Sequence, residues 1–575
     1  MPTSPGLKSK APPQDQLTLT GSFMPIFRTF QVSEIGPRLL SLNLATCLIA
    51  TLLFTGVAQA ETIQATAPLP AKVISPGTDK TDKKPANLVG EVPIKKEESF
   101  LLDGNYPDFM SWLKGTQFHG NLRAYFFARE EANSAIHLSN GSGTPYGENS
   151  FSLGGYGGFL TAPIYGFQAS AVLGSANSLG VNPKPPTNDP QYTASYGNYK
   201  SDPSLPGGTI YVLKEGYGKF TTKYFMVRGP DQVIDTPWIM PSDSRMMPSS
   251  WRALYGEAYP FKDFEPLKDL TFIGMRIWDF MGRSNSNMAA TNLYYTGDMQ
   301  GQAGILNVTS SSGTVVNPTP SAPGAQVFGL KYGSKDSDLK AGLWWHEFYN
   351  FSKLLWIDAN YRWKTGTDFT PLFGFQFAQQ NPDGANYLQN SCPLSPSNCY
   401  AANTQAYGAL VGMDTPWIQF TAAYNNIQAK QNTFQNGNLV SPYSWGYSTD
   451  PLYTTQMING LIEKNSAGQA WKIAGTSYFM DKQIKTLISY AQYYVAGSGI
   501  QTYAATGNGT KQVNGWAATS YANGTANETD IDVTYFFPKA TMWDGLSIRN
   551  RLGVAQGNGS RGHDWYERFQ IQYQF

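Results

Sequence analysis

Arginine is the residue whose spacing in this chain points most directly to chemistry. Arg549 and Arg551 stand two apart in GLSIRNRLGV, Arg568 lies in the terminal run WYERFQIQYQF, and Arg123 and Arg129 lie in FHGNLRAYFFARE. On an extended strand, residues two apart share a face, so each run projects its guanidinium groups to one side. A guanidinium stays charged and presents a planar fork of donors that suits a carboxylate. A row of such groups makes weak, overlapping sites that let an anion enter, move on and leave. The competing reading is that these arginines pair with Asp530, Asp532 or Glu567 and only stiffen a wall. Bond-making chemistry finds less support. The four histidines, His119, His137, His346 and His563, sit in no nucleophile motif, although a hydrolase needs one to activate its serine or aspartate. His346-Glu347 lacks the second histidine of a zinc-hydrolase helix. The chain reads as no enzyme, with no catalytic residue, metal site or cofactor; an outer-membrane hydrolase and a non-transporting adhesive or structural barrel are the alternatives.

Guanidinium rows of this kind need strands with two unlike faces. In the last run, Trp565, Phe569, Ile571, Tyr573 and Phe575 share one parity, and Tyr566, Arg568, Gln570, Gln572 and Gln574 share the other. An apolar face outward and a hydrogen-bonding face inward is what a transmembrane β-barrel requires. A half-buried edge strand is the other reading of this segment alone. The same parity puts Phe118, Leu122, Ala124 and Phe126 outward in the first strand, and Leu546, Ile548, Leu552 and Val554 outward near the end, with Asn550 as an exception. In LLWIDANYRWK, Leu355, Ile357, Tyr361 and Trp363 face out, and Asp358, Asn360 and Arg362 face in. An arginine turned to lipid near the midplane costs about 2–4 kcal/mol, and that penalty fixes the register. Counted from the periplasmic strand ends, Arg123, Arg549 and Arg568 fall near mid-height, with Arg129 about 20 Å further up.

Composition agrees. Charged residues are 14% of the 575 and aromatics another 14%, where a soluble protein carries about a quarter charged. The formal net charge of +1 argues against a nucleic-acid partner, which needs a concentrated basic face. Arg38 to Ala60 has the basic start, apolar run and small-residue end of a cleaved export signal, with Met24 an alternative start. The reading is an extension and signal over 1–60, a Pro- and Lys-rich periplasmic segment over 61–100, and a barrel over 101–575. No later run is long and apolar enough for a membrane helix. Cys392 and Cys399, the cysteines beyond the signal, are spaced to close a small disulfide loop.

Eighteen strands are expected, near 117–129, 151–161, 165–176, 208–218, 221–229, 250–259, 268–281, 325–333, 338–348, 353–363, 368–379, 405–413, 416–426, 469–480, 484–494, 528–537, 544–555 and 564–575. Tight turns alternate with long segments, as in an up-and-down antiparallel barrel with short periplasmic turns and long external loops. One long segment, 230–249, is dense in Pro, Asp and Met. Folded inward, it narrows the bore and sets Asp231, Asp235, Asp243 and Arg245 against the arginine column, an arrangement suited to a solute with both ammonium and carboxylate. Kept outside, it is an ordinary loop with local ion pairs.

The run IDTPWIMPSDSRMMPSS within that segment resembles the signature of the OprD-type substrate-specific porins, the outer-membrane carboxylate channels. SLGGYGGFLTAPIYGFQASAVLGSANSLGVN, DPLYT at 450–454, and NETDIDVTYFFP followed by GLSIRNR resemble the same family, in order, across 101–575. The resemblance implies an 18-stranded barrel in the bacterial outer membrane, an inward constriction loop, a ladder of wall arginines, and passive uptake of small carboxylate-bearing solutes such as amino acids and organic acids. By motif it assigns Asp235, Asp243 and Arg245 to the loop and Arg549 and Arg551 to the ladder; Arg123 and Arg568 rest on parity. The partners expected are outer-membrane lipid, small anionic or zwitterionic solutes, and the barrel-assembly machinery, engaged by the strand ending on Phe575. The preferred solute and the oligomeric state stay open.

Overall fold

The computed structural model describes residues 109–131, 146–182, 199–200, 209–283, 286–288, 308–309, 315–316, 324–349, 352–383, 402–430, 433, 437, 439, 451–458, 460–461, 467–496, 524–539, 541–557 and 563–575. The expected signal, the 61–100 segment, Cys392 and Cys399 lie outside the described residues.

After a short helix, α1 (Phe109–Gly115), come eighteen staves. They are β1 (Gln117–Glu131), β2 (Tyr146–Leu160), β3 (Phe167–Asn177), β4 (Ile210–Thr221), β5 (Phe225–Gln232), β6 (Ser250–Ala258), β7 (Leu270–Met281), β8 (Ala325–Tyr332), β9 (Leu339–Phe348), β10 (Ser352–Arg362), β11 (Thr370–Pro382), β12 (Thr404–Asp414), β13 (Ile418–Ile427), β14 (Gly468–Phe479), β15 (Ile484–Val495), β16 (Gly524–Phe536), β17 (Leu546–Gln556) and β18 (His563–Gln574). Each pairs antiparallel with its sequence neighbours, and β18 pairs with β1, so the sheet closes on itself. Closure leaves no unpaired sheet edge, the condition for strands to cross a bilayer. No helix among the described residues is long and apolar enough to do so. The helix α1 was not expected from the sequence; Trp112 ties it to the barrel rim, donating to the Ala162 carbonyl at 3.0 Å.

Parity behaves as lipid demands. Phe118, Leu122, Ile571 and Tyr573 are exposed on the outer wall, while Asn121, Arg123, Tyr125, Gln570 and Gln572 are buried inside. Asn550, the polar exception on the outward parity of β17, donates to Glu567 Oε1 on the same outer face at 3.1 Å. Two polar groups that face lipid thereby satisfy each other. The seam is finished by the last residue. Phe575 exchanges backbone hydrogen bonds with Gly120, both 3.1 Å, and its ring lies where a β-carbon on Gly120 would stand, 2.9 Å away.

The interior is not the uniformly wet bore that polar parity alone suggests. Inward side chains of β6, β7, β9 and β10, among them Trp251, Ile277, Trp344, Phe348 and Trp356, form a buried apolar cluster. It is completed by Ile234, Trp238 and Ile239 of the β5–β6 loop, and by Leu452 and Leu461 of the β13–β14 loop. Loops that bury apolar side chains inside a barrel need an apolar wall to pack on. Most of the buried charged side chains of the strands stand on the opposite arc, β16 through β4.

Candidate functional site

On that polar arc the register arranges the arginines as a staircase, whereas strand-by-strand counting placed three of them at one height. Along β18, Arg123 of β1 lies opposite Gln572, Arg549 of β17 opposite Gln570, and Arg551 opposite Arg568 itself; Arg129 of β1 lies opposite Tyr566. Each step is two residues, about 7 Å at the usual strand rise.

The steps are not equivalent, because some guanidinium groups already have partners. Arg549 forms a two-point ion pair with Asp532 of β16, Nε to Oδ1 at 2.8 Å and Nη2 to Oδ2 at 2.5 Å. Arg123 does the same with Asp243 of the β5–β6 loop, at 2.5 and 2.8 Å. It also donates to Gln572 Oε1 at 2.7 Å and to the Arg245 carbonyl at 2.7 Å. Arg551 and Arg568 make no hydrogen bond or ion pair among the described residues. They are 6% exposed each, they face each other across β17 and β18, and Arg568 Nε is buried without a partner. Arg568 lies over the Tyr566 ring at 4.3 Å. The free pair is therefore one pair of adjacent staves, with Tyr125 of β1 in electrostatic reach of both.

The β5–β6 loop, residues 233–249, turns inward. Every residue from 241 to 250 is buried. Its tip is fastened from two sides: Tyr125 of β1 donates to the Ser244 carbonyl at 3.0 Å, and Arg283, just after β7, donates to the hydroxyls of Ser242 and Ser244 at 3.1 and 2.9 Å. Arg245 lies over Phe127 at 4.8 Å and donates to Tyr566 at 2.8 Å. Loop and staircase are thus brought together at Arg123, Asp243 and Arg245. The other two loop acids are not. Asp235 is exposed on the loop. Asp231 belongs to β5, on the outer face, where Arg252 of β6 pairs with it at 2.8 Å and with Asp279 of β7 at 2.9 Å.

A second inward loop was missed in the sequence. Residues 451–458 of the β13–β14 loop lie inside the barrel and are pinned by wall side chains from five staves. Gln376 donates to the Pro451 carbonyl at 2.7 Å, Lys472 to the Thr455 carbonyl at 2.7 Å and Tyr493 to the Thr454 carbonyl at 2.6 Å. Asn425 Oδ1 accepts the Thr454 N–H at 3.0 Å. On β16, Asp530 Oδ2 accepts the Met457 N–H at 3.0 Å and Glu528 Oε1 accepts the Ile458 N–H at 2.7 Å. The one signal available beforehand was DPLYT at 450–454, whose Tyr453 donates to Asn360 Oδ1 of β10 at 2.9 Å. Ile458 and Met457 share an apolar cluster with Met246 and Met247 of the first loop, so the two loops meet beside the free arginines. Two inward loops thus stand beside Arg551 and Arg568, which have no hydrogen-bond or ion-pair partner among the described residues.

No family model and no curated protein matches the sequence. Solved structures do match the fold. OccK8 (OprE) of Pseudomonas aeruginosa superposes with a TM-score of 0.57 at 12% identity, over 81% of this chain and 99% of that one. A BenF-like porin from Pseudomonas fluorescens Pf-5 gives 0.57 and 12% over the same shares, 81% and 99%. OpdK of Pseudomonas aeruginosa, solved with vanillate, gives 0.53 and 10% over 80% and 99%. The fold is that of bacterial outer-membrane porins, as the resemblance read from the sequence implies.

Proposed function

We propose that the protein is a multi-pass barrel of the outer membrane that passes small carboxylate-bearing solutes by passive diffusion. One observation carries this: Arg551 and Arg568 face each other beside two inward loops, with no hydrogen-bonded acid on either among the described residues. Like charges set directly opposite on paired strands destabilise a sheet, so this pair contributes to function rather than to folding. A carboxylate bridging two guanidinium forks relieves the repulsion and gains charge-assisted hydrogen bonds. The paired arginines, Arg123 and Arg549, hold the shape of the passage. Vanillate, bound to the structural neighbour OpdK, is a carboxylate of the kind this site suits. The closing seam at Phe575 is the segment we assign to the barrel-assembly machinery. Purified protein in a planar bilayer should give discrete openings that favour anions and are blocked by added carboxylates. The apolar packing inside the barrel favours one second reading, a plugged barrel with no transport. A silent bilayer would select it.

A further inference from the structure

The outer wall carries a feature that passage through the bore does not use. Its apolar belt is broken by a groove of about 630 Å³, within the range of about 300–1,000 Å³ usual for ligand clefts. The floor is Gly256 of β6 and Gly274 of β7, which pair directly across the two strands. Both stand on the outward parity. Leu254, two residues from Gly256, is exposed, and Gly274 lies opposite Phe328 of β8, which is exposed as well. The rings of Phe225, Phe272, Phe328 and Trp345 line the groove, all exposed on the outer wall. Glycine weakens a strand interior, and nothing in the protein demands it at Gly274, where a β-carbon meets no atom within 4 Å. On Gly256 the nearest atom to a β-carbon is the Met226 carbonyl oxygen at 3.5 Å, an ordinary contact. The two glycines therefore keep open a space that the protein itself does not fill.

The groove opens at the short-turn end of the barrel. Phe225 begins β5, Ala258 ends β6 and Phe272 lies two residues into β7, so its mouth adjoins the β6–β7 turn, residues 259–269. This turn is longer than the others at that end, and it exposes Phe261 and Phe264. Two lysines on this rim have acids: Lys223 pairs with Asp263 at 2.7 Å, and Lys268 pairs with Glu265. Lys262 has none. Its ammonium lies 5.7 Å from the centre of the Tyr259 ring and makes no hydrogen bond or ion pair among the described residues. Short turns of an outer-membrane barrel face the periplasm, so groove and lysine meet the phospholipid leaflet. An uncommitted cation among interfacial aromatic rings, below an apolar cleft, suits a lipid with an anionic head. A phosphatidylethanolamine head brings its own ammonium to its phosphate; a phosphatidylglycerol head does not. We propose that the groove and Lys262 form a phosphatidylglycerol site, with one acyl chain over Gly256 and Gly274 and the phosphate on the Lys262 ammonium. The site needs only the membrane-spanning barrel and stands whatever the bore conducts.

The test is native mass spectrometry of the purified full-length protein in detergent, with phosphatidylglycerol and phosphatidylethanolamine of identical chains added together. The wild type should retain about fivefold more phosphatidylglycerol, the worth of one lysine at an anionic surface. Lys262→Gln should bring the two lipids level by lowering phosphatidylglycerol alone. Gly274→Leu fills the groove from the lipid side and should cut retention of both. Neither variant disturbs the packing of the barrel, and the fast-migrating band of unheated protein on a denaturing gel selects assembled material. A wild type without preference, a preference that survives Lys262→Gln, or retention that survives Gly274→Leu would each overturn the site.

Discussion

Replacing Arg551 by glutamine separates function from architecture more cleanly than any other change in the barrel. Arg551 has no hydrogen-bond or ion-pair partner among the described residues, and it faces Arg568 directly. Its removal therefore breaks no hydrogen bond or ion pair among the described residues and relieves a like-charge contact, a gain of about 0.2–1 kcal/mol. A permeating carboxylate, by contrast, loses a charge-assisted contact. Hydrogen bonds to charged groups contribute about 1.5–3 kcal/mol, so carboxylate affinity should fall roughly ten- to hundredfold. Stability and function should move in opposite directions. Two measurements read this out: the concentration of benzoate that half-blocks single-channel current, and the temperature at which the barrel unfolds in detergent. The expected result is a half-blocking concentration raised by at least tenfold with an unfolding temperature equal to or above wild type. Arg549→Gln gives the contrast, since it leaves Asp532 buried without its partner at a cost of about 3–5 kcal/mol. An Arg551 variant with unchanged block and a lowered unfolding temperature would refute the assignment, because the residue would then be structural.

Asp243→Asn should loosen the first inward loop, since it strips the charge from a buried ion pair whose loss costs about 3–5 kcal/mol; raised single-channel conductance with a lowered unfolding temperature is the expected outcome, and conductance at the wild-type value counts against a constricting role. Gly120→Val should prevent closure of the seam, because its β-carbon would lie 2.4 Å from the Tyr156 carbonyl oxygen and 2.9 Å from the Phe575 ring. The variant is expected to lose the fast-migrating folded band of unheated protein on a denaturing gel, and a normal band would show that the terminal ring is free to move aside.

The staves were legible because lipid enforces a simple rule: one face apolar, the other not, with period two. β1 and β17 obey it, and there the sequence identifies both the strand and its orientation. β6, β7 and β9 do not. Leu254, Phe272 and Trp345 face lipid, while their neighbours Trp251, Ile277 and Trp344 face an apolar interior, so alternation vanishes and parity says nothing about what fills the barrel. The second inward loop was hidden for a related reason. Its anchors, Gln376, Asn425, Lys472 and Glu528, are ordinary lumen polar residues in sequence, and only the strand pairing shows them converging on residues 451–458.

Which arginine is free was not legible at all, and the reason is local geometry. Arg549 and Arg551 share a strand and a face, and both adjoin Asp532. By register Asp532 stands directly opposite Arg551, while Arg549 is opposite Thr534. A rule based on direct cross-strand pairs would bond Asp532 to Arg551. The carboxylate instead bonds the diagonal neighbour, and it commits both oxygens to the fork of Arg549. A guanidinium fork and a carboxylate match two points to two, and Asp532 turns both oxygens to Arg549, so Arg551 on the same stave has no hydrogen bond to it. The inward residue that β18 sets opposite Arg551 is Arg568, another cation rather than an acid. Which guanidinium groups stay without a hydrogen-bonded acid thus follows from the register and the direction in which Asp532 reaches, and not from parity.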